Sequence, residues 1–176
     1  MSLDGVLAEG RSIRLRRIQA SDLEPASAFK YTLSITEPLT DLGRSKAAFA
    51  ETGFWGQDAG AAAIVAAADE RLLGTCQFYR SSPCIHGYEI GYVLHDEADR
   101  GKGYASQALR LLTALLFDQR PACHRIQLLI DVDNTPSWRL AEACGYTREG
   151  VLRSAGFDLD APEDCFVYAR LRKDLG

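Results

Sequence analysis

The run YEIGYVLH, Tyr88 to His95, followed after a short DEAD turn by RGKGYASQALRLLTALLF, Arg100 to Phe117, decides the fold. The first run is rich in aromatic and β-branched residues and predicts a strand. Gly91 interrupts it and calls for a bulge or a close backbone approach. In the second, Leu109, Leu112, Leu115 and Leu116, with Ala105 and Ala108 beneath, recur at the spacing of a buried helix face, so a helix is predicted over 105–119. Between strand and helix, Gly101 and Gly103 let the backbone approach a ligand. The first helical turn leaves N–H groups without internal partners. Together with the helix dipole, Arg100 and Lys102, this entrance suits an anion such as a pyrophosphate. A plain glycine-rich turn with solvated basic residues is the competing reading of the same spacing.

Outward from this segment, Ile13 to Ile18 predicts a first strand, and Ser21-Asp22-Leu23-Glu24 an N-cap with an acidic first turn and Pro25 early in the helix. A short helix is expected over 45–51, followed by Phe54 and Trp55 in a glycine-bounded segment. The alanine-rich run 61–68 is ambiguous by composition. The Asp69-Glu70-Arg71 turn and the strand-like stretch 72–80 make it one arm of a hairpin. Downstream lie a strand over 124–132, a helix capped by Asn134 with Pro136 in its first turn and Gly145 at its end, and a terminal hairpin, 147–153 and 165–172. A long helix between two strands implies one parallel pair inside an otherwise antiparallel sheet with flanking helices, an α+β fold of mixed sheet.

The bulk numbers bound the function. A chain of 176 residues with 47% apolar and 25% charged residues predicts one soluble domain, placed at 11–174. Residues 1–10 read as an N-terminal extension in which Met1-Ser2-Leu3 has the look of an expression remnant. The net charge of −4, without a basic arm, argues against nucleic acid as a partner. No apolar run is long enough for a membrane span, and the N-terminus lacks a signal-peptide pattern. Five dispersed cysteines (Cys76, Cys84, Cys123, Cys144, Cys165), without C-x-x-C or a histidine at metal spacing, predict reduced core thiols in a cytoplasmic protein and no metal. Neither G-x-x-x-x-G-K-[ST] nor a G-x-G-x-x-G at the first strand is present.

The segment EIGYVLH…DRGKGYASQAL resembles the central motif of the GNAT superfamily of N-acetyltransferases, [QR]-x-x-G-x-[GA], with Arg100, Gly103 and Ala105 at its defined positions. NTPSWRLAEACGYTREG, Asn134 to Gly150, is similar to the second block of that family. EGVLR and the terminal DCFVYARLR are similar to its RimJ/RimL-like branch. The resemblance spans Arg14 to Lys173 and implies the GNAT acyl-CoA N-acyltransferase fold, in which the parallel pair splays and acetyl-CoA lies in the wedge.

By that resemblance, backbone groups of Tyr92, Val93 and Leu94 would hold the pantetheine arm. Those of Arg100, Gly101, Lys102, Gly103, Tyr104 and Ala105 would hold the pyrophosphate, and Asn134 would contact the cofactor. Asn134 also reads as a simple helix N-cap. The implied reaction is acetyl transfer from acetyl-CoA to a primary amine, by direct attack in a ternary complex. Glu89, two residues before Gly91, is the candidate base, against an ordinary strand glutamate; His95 is a weaker one, read as a surface residue. Many family members carry a tyrosine seven residues after the motif asparagine, where this chain has Ala141. The branch often has serine at the position of Ser137, which becomes the candidate acid toward the thioester sulfur. Tyr146 reads as core. The acidic loop with Asp158, Asp160, Glu163 and Asp164 reads as solvated or as an attractor for a cationic acceptor, and Phe54 and Trp55 as possible walls of the acceptor site. The expected acceptor is a peptide or protein N-terminus. A small amine, or a non-catalytic acyl-CoA-binding module kept open by Ala141, are the alternatives, and the expected assembly is a monomer or homodimer.

Overall fold

The computed structural model describes residues 5–82, 85–156 and 162–175. Its strands are β1 (Val6–Glu9), β2 (Ile13–Arg17), β3 (Ala59–Ala66), β4 (Leu72–Ser82), β5 (Ile85–Leu94), β6 (Arg125–Asp131), β7 (Thr147–Leu152) and β8 (Cys165–Leu171). They form one sheet in the order β1-β2-β3-β4-β5-β6-β8-β7. Only β5 and β6 pair in parallel; the helix joining them, α3 (Tyr104–Gln119), supplies the crossover that parallel neighbours require. The other helices are α1 (Leu23–Ser27), α2 (Leu42–Thr52) and α4 (Thr135–Ala143). The mixed sheet with one parallel pair expected from the sequence is present.

Alternation along β3 explains the alanine run. Ala62 and Ile64 enter one core with Leu109, Leu112 and Leu116 of α3. Ala61, Ala63 and Val65 enter a second with Leu23 and Ala26 of α1 and Leu33, Leu39 and Phe54. A strand covered on both faces loses the polar alternation of a half-exposed one. Small side chains let both layers close on it, which overrides alanine's helix preference.

Four local expectations are changed or sharpened. The sheet begins at Val6, so Ile13–Arg17 is its second strand and the fold starts upstream of residue 11. The Ser21 cap is replaced by a 3-10 turn, Ala20–Asp22, that runs into α1 at Asp22; the Asp22 carboxylate accepts from Gln19 N at 2.8 Å and from Arg16 at 2.7 and 3.0 Å. Gly91 marks a close approach rather than a bulge, since β4 and β5 stay in register across it and a Cβ there would meet Ile35 Cδ1 at 2.9 Å. The terminal hairpin is not simply appended, because β8 lies between β6 and β7. Cys76, Cys123, Cys144 and Cys165 are buried free thiols, and Cys84 lies outside the described residues. No helix among the described residues is long and apolar enough to cross a membrane.

The fit of β4 on β5 is tightest at Gly74, where a Cβ would lie 2.0 Å from the Val93 carbonyl oxygen. Gly74→Ala is therefore expected to cost about 2–3 kcal/mol by overpacking, read as a lower urea midpoint; an unchanged midpoint would show that β5 is not held at this distance.

Candidate active site

β5 and β6 share only two parallel pairs, Tyr88 with Ile126 and Glu89 with Gln127. Beyond them β5 stays paired to β4 as far as Leu94, while its other edge leaves β6. The opened wedge holds two cavities. One, of about 240 Å³, has Glu89, Gly91, Leu129, Ile130 and Asp131 in its walls. The other, of about 590 Å³, runs from Tyr92–Leu94 along the glycine loop to Pro136 and Leu140 of α4. Tyr92, Val93, Asn134 and Ser137 belong to both, so the two chambers meet there.

The loop owes its shape to two glycines in left-handed conformation, Gly101 at φ 73° and Gly103 at φ 80°. Other residues adopt this region with strain. Gly103 is the N-cap of α3 and offers no side-chain acceptor to the first turn. The N–H groups of that turn thus have no side-chain cap, and Tyr104, Ala105 and Ser106, which carry them, help to line the larger cavity. Beneath the loop, Asp99 is almost fully buried and receives both arms of Arg71, at 2.8 and 2.9 Å. Lys102 Nζ lies 3.2 Å from the same carboxylate, and the Lys102 side chain does not line the cavity. Arg100 does line it, while its guanidinium also pairs with Glu97 at 2.9 Å.

Glu89 is 4% exposed. Tyr79 donates its hydroxyl to one carboxylate oxygen, and Gln127 Nε2 donates to the other at 2.8 Å. Burial pushes its pKa above the ordinary carboxylate value, while these two hydrogen bonds pull it back. Three positions along, on the other face of β5, the Tyr92 hydroxyl lies 2.8 Å from Ser137 Oγ. Burial pushes this phenol up to about 12, so it stays protonated at neutral pH. Asn134 caps α4 through its side chain, which accepts from Ser137 N at 3.3 Å. The cap reading of Asn134 thus coexists with a place in the wall of both chambers. The Ser137 hydroxyl, by contrast, reaches Tyr92.

The remaining sequence candidates are distributed as follows. His95 is not a surface residue: it is half-buried, stacks on Phe29 at 4.4 Å between ring centroids, and burial lowers its pKa. Tyr146 is core, with its hydroxyl 2.7 Å from Thr113 Oγ1. Ala141 is fully buried in the main core. Asp164 accepts from Ser154 N at 2.9 Å and so braces a turn; Glu163 is exposed, and Asp158 and Asp160 lie outside the described residues. Phe54 and Trp55 line a further cavity beside the wedge. Sequence reasoning missed Arg71, Tyr79, Gln127 and the Tyr92 side chain. Strand parity separates Tyr92 from Glu89, but only tertiary register reveals the other three partners.

Residues 12–147 match the model of the acetyltransferase (GNAT) domain family. Over 103 residues the chain is 37% identical to the ribosomal-protein-serine acetyltransferase of Escherichia coli K12, a segment that is 58% of this chain and 56% of that protein. The chain thus spans little more than half the length of this curated relative. Among solved structures, a RimL ribosomal L7/L12 α-N-protein acetyltransferase in complex with CoA superposes with a TM-score of 0.73 at 22% identity, covering 94% of this chain and 97% of that one. The spermidine/spermine N-acetyltransferase of Vibrio cholerae gives 0.75 at 19% identity, covering 93% and 95%. At these identities the structural likeness concerns the fold.

The Asp99 carboxyl is held down from 3.8 to about 2, chiefly by hydrogen bonds from Arg71 and against the effect of burial. With the folded value depressed, its stabilisation is complete above the unfolded value near about 3.9 and is lost as pH falls through about 2. Asp99→Asn should therefore be less stable than the parent at neutral pH, with the difference shrinking between about pH 4 and 2. Urea midpoints measured across that window test this, and a pH-independent difference would assign the acid response to other groups.

Proposed function

From the chain's membership of the GNAT acetyltransferase family, we propose that it moves the acetyl group of acetyl-CoA to a primary amine, the α-amine of a peptide or protein N-terminus in the first place. The observation that carries this reading is the meeting of two chambers at Tyr92, Val93, Asn134 and Ser137. A carboxylate stands on one side of that junction and a hydroxyl pair on the other. The larger chamber suits the donor. The first turn of α3 and the Gly101–Gly103 backbone would take the pyrophosphate, and the Tyr92–Leu94 edge and Asn134 the pantetheine arm. The unpaired edge of β5 favours this fit, because its peptide groups toward β6 lack sheet partners beyond Glu89. When bound, the donor supplies an activated thioester.

The chain's own residues then have two tasks. An amine arrives largely as ammonium and attacks only when neutral. Glu89, with its raised pKa, accepts that proton directly or through a water. An α-amine, with a pKa of about 8, needs less help than a lysine side chain at about 10.4. As the thiolate departs, Ser137 donates a proton with the Tyr92 hydroxyl hydrogen-bonded beside it; Glu89 gives up the amine's proton to solvent and the hydroxyl pair takes one back, so each group ends the cycle as it began. This pair fills the role left open by Ala141, and it favours turnover over a module that only binds acyl-CoA.

Thiol release from acetyl-CoA across a panel of amines tests the reaction; CoA binding with no acceptor-stimulated release would overturn it. Gly103→Val, which places a β-branched residue at φ 80°, should abolish CoA binding by calorimetry while circular dichroism stays native. Unchanged affinity removes the loop from the donor site. Glu89→Gln should lower kcat by about 10²-fold or more, with a deficit largest at low pH and shrinking as the amine deprotonates unaided. A parental pH–rate profile removes Glu89 as the base.

A further inference from the structure

A third cavity, of about 270 Å³, lies beside the Glu89 chamber and shares Ile35 and Gln77 with it. It sits on the sheet face away from α3, since Gln77 is directly opposite Ala61, a member of the core under α1. Its walls include Leu33, Leu39 and Phe54. The one carboxylate among its described lining residues, Glu37, is engaged by Arg44. This is a surface for an apolar group, and a second ammonium would be desolvated there without a free counter-charge.

Gln77 stands between the two cavities and is 6% exposed. Its Nε2 donates to the Tyr31 carbonyl, whose residue holds φ at 61°. Its Oε1 is buried and has no hydrogen-bond partner. An enclosed amide oxygen without a protein donor is costly, and an N–H or O–H brought by a bound molecule would satisfy it. Gln77 pairs across the sheet with Gly91, and Tyr79, two positions along, pairs with Glu89. Gln77 and Glu89 are therefore diagonal neighbours on one face, separated by about 7 Å at Cβ. An N-terminal residue carries two donors on this scale: its amine, and the next peptide N–H, with only the Cα and carbonyl carbon between. Its side chain leaves from the Cα, toward Ile35 and the apolar cavity.

We propose that Gln77 Oε1 accepts the first peptide N–H of the acceptor, while the third cavity takes the acceptor's first side chain, an apolar one, with the α-amine at Glu89. This assignment rests on the amine-acetylating reading above and narrows its substrate class to N-termini beginning with an apolar residue.

The test uses length-matched peptides beginning with Leu or Asp, a Leu-first analogue in which an ester oxygen replaces the first peptide N–H, and spermidine, all read by thiol release. The Leu-first peptide should exceed the Asp-first peptide and spermidine in kcat/KM by about tenfold or more. Gln77→Leu should raise KM for the Leu-first peptide about tenfold and leave KM for the ester analogue at its value with the parent protein. A merely structural role for Gln77 would penalise amide and ester alike. Equal penalties, or an equal or better rate with the Asp-first peptide or spermidine, overturn this assignment and leave amine acetylation standing. No thiol release with any acceptor removes both.

Discussion

The parallel hydrogen bonding between β5 and β6 stops after Glu89 and Gln127, and the site depends on where it stops. Had it continued, the sheet would be closed and nothing could lie between the strands. Had β5 frayed on both edges, its backbone would be too mobile to position a ligand. Instead β5 is fixed by β4 along its whole length, with the Val93 carbonyl pressed over Gly74, and is open on the side of β6. A rigid row of peptide groups is thereby presented to a cleft. The two-residue period of the same strand then divides the chemistry: Glu89 faces the side of α1 and its following loop, and Tyr92 faces α4. Base and hydroxyl donor approach the junction from opposite faces.

Electrostatics completes what the backbone begins. A glycine loop is conformationally permissive, so something must select one shape. The buried Asp99 carboxylate does so from below by gathering Arg71 from the β3–β4 turn and Lys102 from the loop itself. A buried carboxylate is tolerated only with such partners, and the bidentate arginine geometry fixes direction as well as charge. The positive charge that the sequence suggested for an anion at Lys102 is thus partly used within the protein. The ligand-facing character of the loop comes more from backbone N–H groups and Arg100.

The elements carried by strong local patterns were readable in advance. The leucine spacing of α3, the aromatic and β-branched run of β5 and the Asn134–Pro136 start of α4 each fall within a residue or a few of their predicted bounds. β1 was not, because Val6–Glu9 has no alternation of its own and becomes a strand only by pairing with β2. The same holds at the site. Tyr92–Leu94, the glycine loop, Asn134 and Ser137 are close in sequence to the motifs that mark them, and all but the Lys102 side chain gather round one cavity. Arg71, Gln77 and Gln127 carry no local signature. Their positions follow from the register of β4, β5 and β6 and from a turn brought beneath the loop, which no spacing in the chain encodes.

The insertion of β8 between β6 and β7 also sets an order of assembly. β6 has only two pairs with β5 but a full ladder with β8, so the far wall of the wedge gains its lateral support from a strand well downstream. Such non-local closure is slow compared with helix formation or the β3–β4–β5 meander. The β3–β4–β5 meander is thus expected to form first, and the pairings that close long segments, β2 on β3 and β6 on β8, later. Amides of β6 and β8 would then exchange with solvent through a less protected opening than those of β4. The cleft lies where the local meander meets β6, a strand that depends on a distant partner.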